Sequence, residues 1–158
     1  MRSMKGSNFR LLALAVLAIV AGAWTDEAAA KPKRIAVVVH PSNPIKSLKA
    51  DELRRVFLRE DTKWPNKWLI TVLERDSADP IREQFSVRVL GRKPGELRDH
   101  WLKLKVTRGL EPPKMCRSAL LLKRYLARVE GAVGYLYEDE VDASVKVICV
   151  LEVKASEK

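Results

Sequence analysis

The sequence predicts an α/β layered domain, a central sheet flanked by helices, and three observations carry that reading. Short β-branched runs (Arg34 to His40, Leu69 to Leu73, Val145 to Val153) alternate with stretches whose apolar residues recur at helical spacing. Prolines and glycines fall at the joints between them. Taken in order, the elements read β-α-β-α-α-α-β-β, and strands separated by helices bury their sheet under helical layers.

The first strand, Arg34 to His40, is stopped by Pro41-Ser-Asn-Pro44. Asp51 to Arg59 follows as a helix with Leu53, Val56 and Phe57 inward. Glu52 stands where a capping-box partner reaches back, although Lys49 cannot supply the cap itself. A turn with aromatic flanks, Lys63 to Trp68, leads into the strand Leu69 to Leu73. The next helix is the best marked. Asp79 suits the N-cap, Pro80 the first helical position and Gly91 the terminus, with Ile81, Phe85 and Val89 as one apolar stripe. A third helix runs from Pro94 to about Lys105 with Leu97, Trp101 and Leu104 inward. Pro112-Pro113 separates it from a fourth, Arg117 to Val129, which buries Leu122, Tyr125, Leu126 and Val129. Gly131 to Tyr137 and Val145 to Val153 complete the sheet.

Ahead of this domain, Met1 to Arg10 carries Arg2, Lys5 and Arg10, Leu11 to Ala23 is almost wholly apolar, and Ala28-Ala29-Ala30 offers a small-residue cleavage site. That is the layout of a secretory signal peptide, and the apolar run is shorter than the ~20 residues of a membrane anchor. Residues 1–30 are therefore expected to be a cleaved leader, and 31–158 a periplasmic or secreted domain without stable membrane insertion. The chain of 158 residues holds 30 Lys and Arg against 20 Asp and Glu, a formal net charge of +10. This excess favours anionic partners, or serves solubility alone. Export makes nucleic acid the least suitable of those partners. Cys116 and Cys149 can pair in an oxidising compartment, or stay as free buried thiols. His40 and His100 stand isolated, so no metal spacing is present.

The stretch from Leu48 to Leu58 (LKADELRRVFL), then Lys63-Trp64, then Val72 to Arg75 (VLER), resembles the phosphate-binding proteins of ABC transporters. In that family the pattern L-S/T-x-x-E/Q-L-x-x-I-F-x-G leads to a Trp-containing turn. A strand follows that ends in Arg, and then a Gly-Ser-Gly-Thr loop opens a helix bearing Phe. Arg75 and Phe85 hold the ends of that last motif at the family's spacing, and Gly131 to Tyr135 (GAVGY) looks like its G-x-I/V-G-Y strand. The resemblance spans about Ile35 to Val150. It implies a single lobe of a type 2 periplasmic binding protein, where full-sized members close two lobes on one anion. A lone lobe offers half a site, to be completed by a partner or used weakly.

In the family the loop before the Phe-bearing helix grips phosphate with hydroxyls and backbone N–H groups, helped by the partial positive charge of a helix start. Its Ser, Gly and Thr fall on Asp79, Pro80 and Ile81 here. Asp79 would satisfy the N–H groups itself and repel a phosphate by about 4 kcal/mol at about 4 Å and an effective dielectric of about 20. Pro80 lacks an N–H, and Ile81 lacks a hydroxyl. Arg75, Ser77 and Arg82 remain candidates for an anion site nearby, and Arg75 can equally pair with Asp79 or Asp76. Ser42 and Asn43 lie beyond the carboxyl end of a strand, where open α/β sheets bind ligands, or form a turn chosen for its backbone geometry. Lys63-Trp64 and Lys67-Trp68 can stack a sugar or a base, or pin the loop to the domain. Glu138 to Glu140 reads as a solvated turn. No G-x-S-x-G, P-loop or dinucleotide fingerprint is present. Two functions follow: a non-enzymatic, cofactor-free binder of a small anion such as phosphate, or an interaction module that keeps the fold and docks on an envelope protein.

Overall fold

A computed structural model describes residues 33–152; the expected leader, residues 1–30, and the charged tail Lys154 to Lys158 lie outside them. The strands are β1 (Arg34–Val39), β2 (Thr71–Arg75), β3 (Lys114–Cys116), β4 (Ala132–Tyr137) and β5 (Lys146–Glu152). The α-helices are α1 (Ala50–Phe57), α2 (Pro80–Phe85), α3 (Pro94–Arg108) and α4 (Ala119–Leu126). The five strands form one sheet in the order β3-β2-β4-β1-β5. β2 runs parallel to both neighbours, while β1 runs antiparallel to β4 and β5.

Strand periodicity divides the core in two. Ile35, Val37 and Val39 of β1 face the side covered by α1, α2 and α3, where Phe57, Phe85, Leu97 and Tyr135 are packed. Ala36 and Val38 face α4, through Leu122 and Leu126. This burial of β1 on both faces is why its sequence is continuously apolar. The Phe85 and Tyr135 rings stack with centroids 4.0 Å apart, and Phe57 tilts against both.

The helix starts follow the sequence closely. Lys49 makes no side-chain cap, as anticipated, but Glu52 Oε2 accepts its backbone N–H at 2.8 Å. Glu96 does the same for Lys93 at the start of α3. α2 departs from expectation in its second half. After Phe85 the backbone continues as a π-helical turn, Ser86–Leu90, before Gly91 ends it at φ 66°. The wider turn moves the buried position on from Val89, which is half-buried, to Leu90, which is fully buried.

β3 was not anticipated. It is a three-residue edge strand straight after Pro112-Pro113, held by parallel pairing of Leu73, Glu74 and Arg75 with Lys114, Met115 and Cys116. Behind it α4 begins at Ala119, because the Ser118 side chain caps Leu121 N–H at 3.2 Å.

Sheet order also decides the cysteines. Cys116 ends β3 and Cys149 lies in β5, the two outermost strands. Neighbouring strands are about 4.8 Å apart, so the two edges are separated by about 19 Å. A disulfide needs Cα atoms within about 7 Å. Both thiols are free, which corrects the pairing option, and burial pushes the pKa of each upward.

The aromatic turn is pinned, not presented. Trp64 is buried and donates from Nε1 to the Gly131 carbonyl at 3.0 Å, and Trp68 packs against the same core. Gly131 is fixed by this contact. A β-carbon there would stand 2.1 Å from the Leu69 carbonyl oxygen.

Candidate functional site

The carboxyl end of β2 brings the charged residues together. Successive side chains on a strand point to opposite faces, so Glu74 and Arg75 serve two separate ion pairs. Arg75 is 5% exposed. Its Nη2 donates to Asp79 Oδ2 at 2.5 Å and to Glu140 Oε1 at 3.3 Å, and its Nη1 donates to Glu140 Oε2 at 2.9 Å. Burial works against the guanidinium charge, but Glu140 and Asp79 outweigh it and hold the Arg75 pKa above its ordinary value. One cation between two carboxylates leaves this cluster a net charge of −1.

Asp79 has a second task. Its Oδ1 accepts the Ile81 N–H at 3.2 Å, capping α2. Upstream, Asp76 Oδ1 accepts the Ala78 N–H at 3.0 Å and so shapes the loop. The place where an incoming oxyanion would meet N–H groups is therefore occupied by the chain's own carboxylate.

Glu74 and Arg82 form the other pair, Oε2 to Nη2 at 3.0 Å, with both residues buried. Burial pushes the Glu74 carboxyl up to about 7 despite the neighbouring Arg82. Between the two pairs lies Tyr135. Its hydroxyl oxygen accepts the Arg75 backbone N–H at 3.4 Å, and burial followed by the Glu74 charge raises its pKa.

Of the residues singled out in the sequence, Arg75 and Asp79 meet directly, as the ion-pair alternative foresaw. Arg82 turns away from them to Glu74, and Ser77 stands exposed beside Asp76. Ser42 and Asn43 do not join this group. Because β1 runs opposite to β2, their loop lies at the far end of the sheet. Ser42 Oγ is 2.7 Å from His40 Nδ1. Buried Asn43 takes the Ile45 N–H on Oδ1 and donates to the Glu130 carbonyl, a turn-building pattern. Two participants were missed. Glu140 belongs to the run read as a solvated turn, and that reading is corrected here: only Glu138 and Asp139 are exposed. Glu74 carried no signal, because the strand read from the sequence ended at Leu73, one residue before it.

The fold defines a class: a mixed α/β domain with a five-stranded sheet flanked by helices, matching a single lobe of a periplasmic binding protein-like fold. Solved structures that it resembles include phosphate receptors. One is an ABC-type phosphate transport receptor from Vibrio cholerae (TM-score 0.59, 22% identity, covering 73% of this chain and 45% of that one). Another is a phosphate ABC transporter substrate-binding protein from Clostridium perfringens, solved with bound phosphate (TM-score 0.62, 22% identity, 75% and 45%). PstS from Borrelia burgdorferi matches with a TM-score of 0.58 at 11% identity over 75% and 47%. The chain thus spans under half the length of these receptors. No family model matches it, and no curated protein matches it by sequence. Among the described residues no helix is long and apolar enough to cross a membrane.

Proposed function

We propose that the chain is an exported, single-lobe relative of phosphate-type solute-binding proteins. It takes a small anion such as phosphate, weakly or with a partner, an envelope protein or second lobe, that supplies the rest of the cleft. Residues 1–30 serve as the leader that delivers it to the periplasm or beyond. Capture is non-covalent and calls for no cofactor.

One observation carries this reading. In a fold like that of a phosphate receptor's lobe, a guanidinium stands at the end of β2 beside the start of α2, held between Asp79 and Glu140. The same geometry limits the strength of binding. An anion must displace Asp79 or Glu140 from Arg75 before it gains a bidentate contact.

Calorimetric titration with phosphate, with sulfate as control, at low and moderate salt tests this. A saturable, phosphate-selective signal that persists in salt supports the half-site. Heat that vanishes with salt reports only diffuse attraction to a basic protein. A flat titration both with and without candidate envelope partners would overturn the proposal.

A further inference from the structure

A cavity of about 390 Å³ opens beside the Glu74–Arg82 pair, between the loop after β2, the first turns of α3 and the Pro112-Pro113 segment. That volume is within the range of small-molecule pockets. Its charged wall is Glu74, Arg82 and Arg98, two guanidiniums against one carboxylate. Its apolar wall is Pro112, Pro113 and Met115, with the Trp101 ring beside them.

Arg82 and Trp101 both line this cavity and are more than nine-tenths buried; Arg82 Nε and Trp101 Nε1 have no acceptor and are themselves shut off from solvent behind the cavity wall. Buried donors in native proteins nearly always find one. Gly95, also in the lining, occupies the second position of α3, where the backbone N–H has no intrahelical acceptor. Arg98 is exposed, and among the described residues its one carboxylate contact, to Asp99, is a loose 3.9 Å. The lining therefore carries positive charge in excess, facing an apolar wall.

We infer that this cavity binds a small organic carboxylate with an apolar body. The carboxylate head accepts from the Arg98 and α3 end, and the body lies against Trp101, the two prolines and Met115. A bare inorganic ion would leave that apolar wall unused, which sets this site apart from the Arg75 cluster. Glu74 is the one acidic group in the lining, so its ionisation opposes the ligand. The inference does not depend on phosphate binding at Arg75.

Benzoate is the probe, with benzyl alcohol as the uncharged isostere and inorganic phosphate as the control for the other site. Binding is read by calorimetry and by tryptophan fluorescence on the purified protein and on Arg98→Ala, Glu74→Gln and Trp101→Phe. Saturable benzoate binding is expected, with no response to benzyl alcohol. Arg98→Ala should weaken it about tenfold, the loss of one charge-assisted contact. Glu74→Gln should tighten it, because the variant removes the one acidic group of the lining. Trp101→Phe should abolish the fluorescence change. Phosphate titrations should be the same in wild type and Arg98→Ala, so the two sites can fail separately. Absence of saturable benzoate binding, or equal benzoate affinity in wild type, Arg98→Ala and Glu74→Gln, overturns the inference.

Discussion

Replacing Glu74 with glutamine removes a carboxyl whose proton is held more tightly in the folded chain than in the unfolded one. Burial raises its pKa from the ordinary 4.5 to about 7, with Arg82 pulling the other way. Between those two values the folded chain binds a proton that the unfolded chain has released. The associated stability is therefore fully present below about pH 4.5 and is lost as the pH rises through about 7. At about 1.4 kcal/mol per tenfold change in proton affinity, the displacement corresponds to about 3 kcal/mol. Urea unfolding of wild type and Glu74→Gln at steps from about pH 4 to about pH 8 reads this directly. Subtracting one profile from the other removes the titration of every group they share. Wild type should lose about 3 kcal/mol relative to the variant across that window. A difference that stays flat, or that turns in favour of wild type as the pH rises, refutes the reasoning. It would mean that Arg82 at 3.0 Å outweighs burial and keeps Glu74 ionised throughout.

Removing the partner instead should show the complementary pattern. Arg82→Met leaves Glu74 buried without a counter-charge and should cost about 3–5 kcal/mol at about pH 8, and clearly less at about pH 5, by the same urea assay. Asp79→Ser keeps a capping oxygen for the Ile81 N–H but removes one carboxylate from Arg75; phosphate affinity by calorimetry should rise about tenfold or more. An unchanged affinity would place anion capture elsewhere. Gly131→Ala forces a methyl group onto the Leu69 carbonyl and disturbs the Trp64 bond, and should lower stability by about 2–3 kcal/mol in thermal or urea unfolding. Reductant should leave the melting temperature unchanged, and alkylation with intact-mass readout should find two modifiable thiols, Cys149 before the more buried Cys116.

What was legible in the sequence was mostly local. Asp79-Pro80 marks the start of α2 because a cap and a proline act within one turn, and the structure shows that cap. β1 was plain because its run of β-branched residues needs no partner to be recognised. β3 was hidden, since its three residues are strand only through their pairing with β2. The π turn was hidden as well, because a 3.6-residue period carries the apolar stripe to Val89 and not to Leu90. For the site, the Arg75–Asp79 pair spans a single loop and could be anticipated as one alternative. Glu140 reaches Arg75 only after three α-helices and two strands have been laid down between them, and no spacing rule covers that. The placement of Ser42 and Asn43, and the separation of the cysteines, both depend on strand direction and order. Those emerge from the packed sheet and not from any one segment of it.

Under the proposed function, the clamp on Arg75 would make anion uptake a substitution reaction. An arriving anion does not fill an empty seat; it evicts Asp79 or Glu140 and leaves that carboxylate to be solvated. Net affinity is then the small difference between two similar ion pairs, and selectivity comes from whichever anion matches the guanidinium better than a carboxylate does. Any protein that draws Glu140 or Asp79 away for its own contacts would raise the lobe's appetite for anions without touching the ligand. A docking partner could thus act as the lobe's switch.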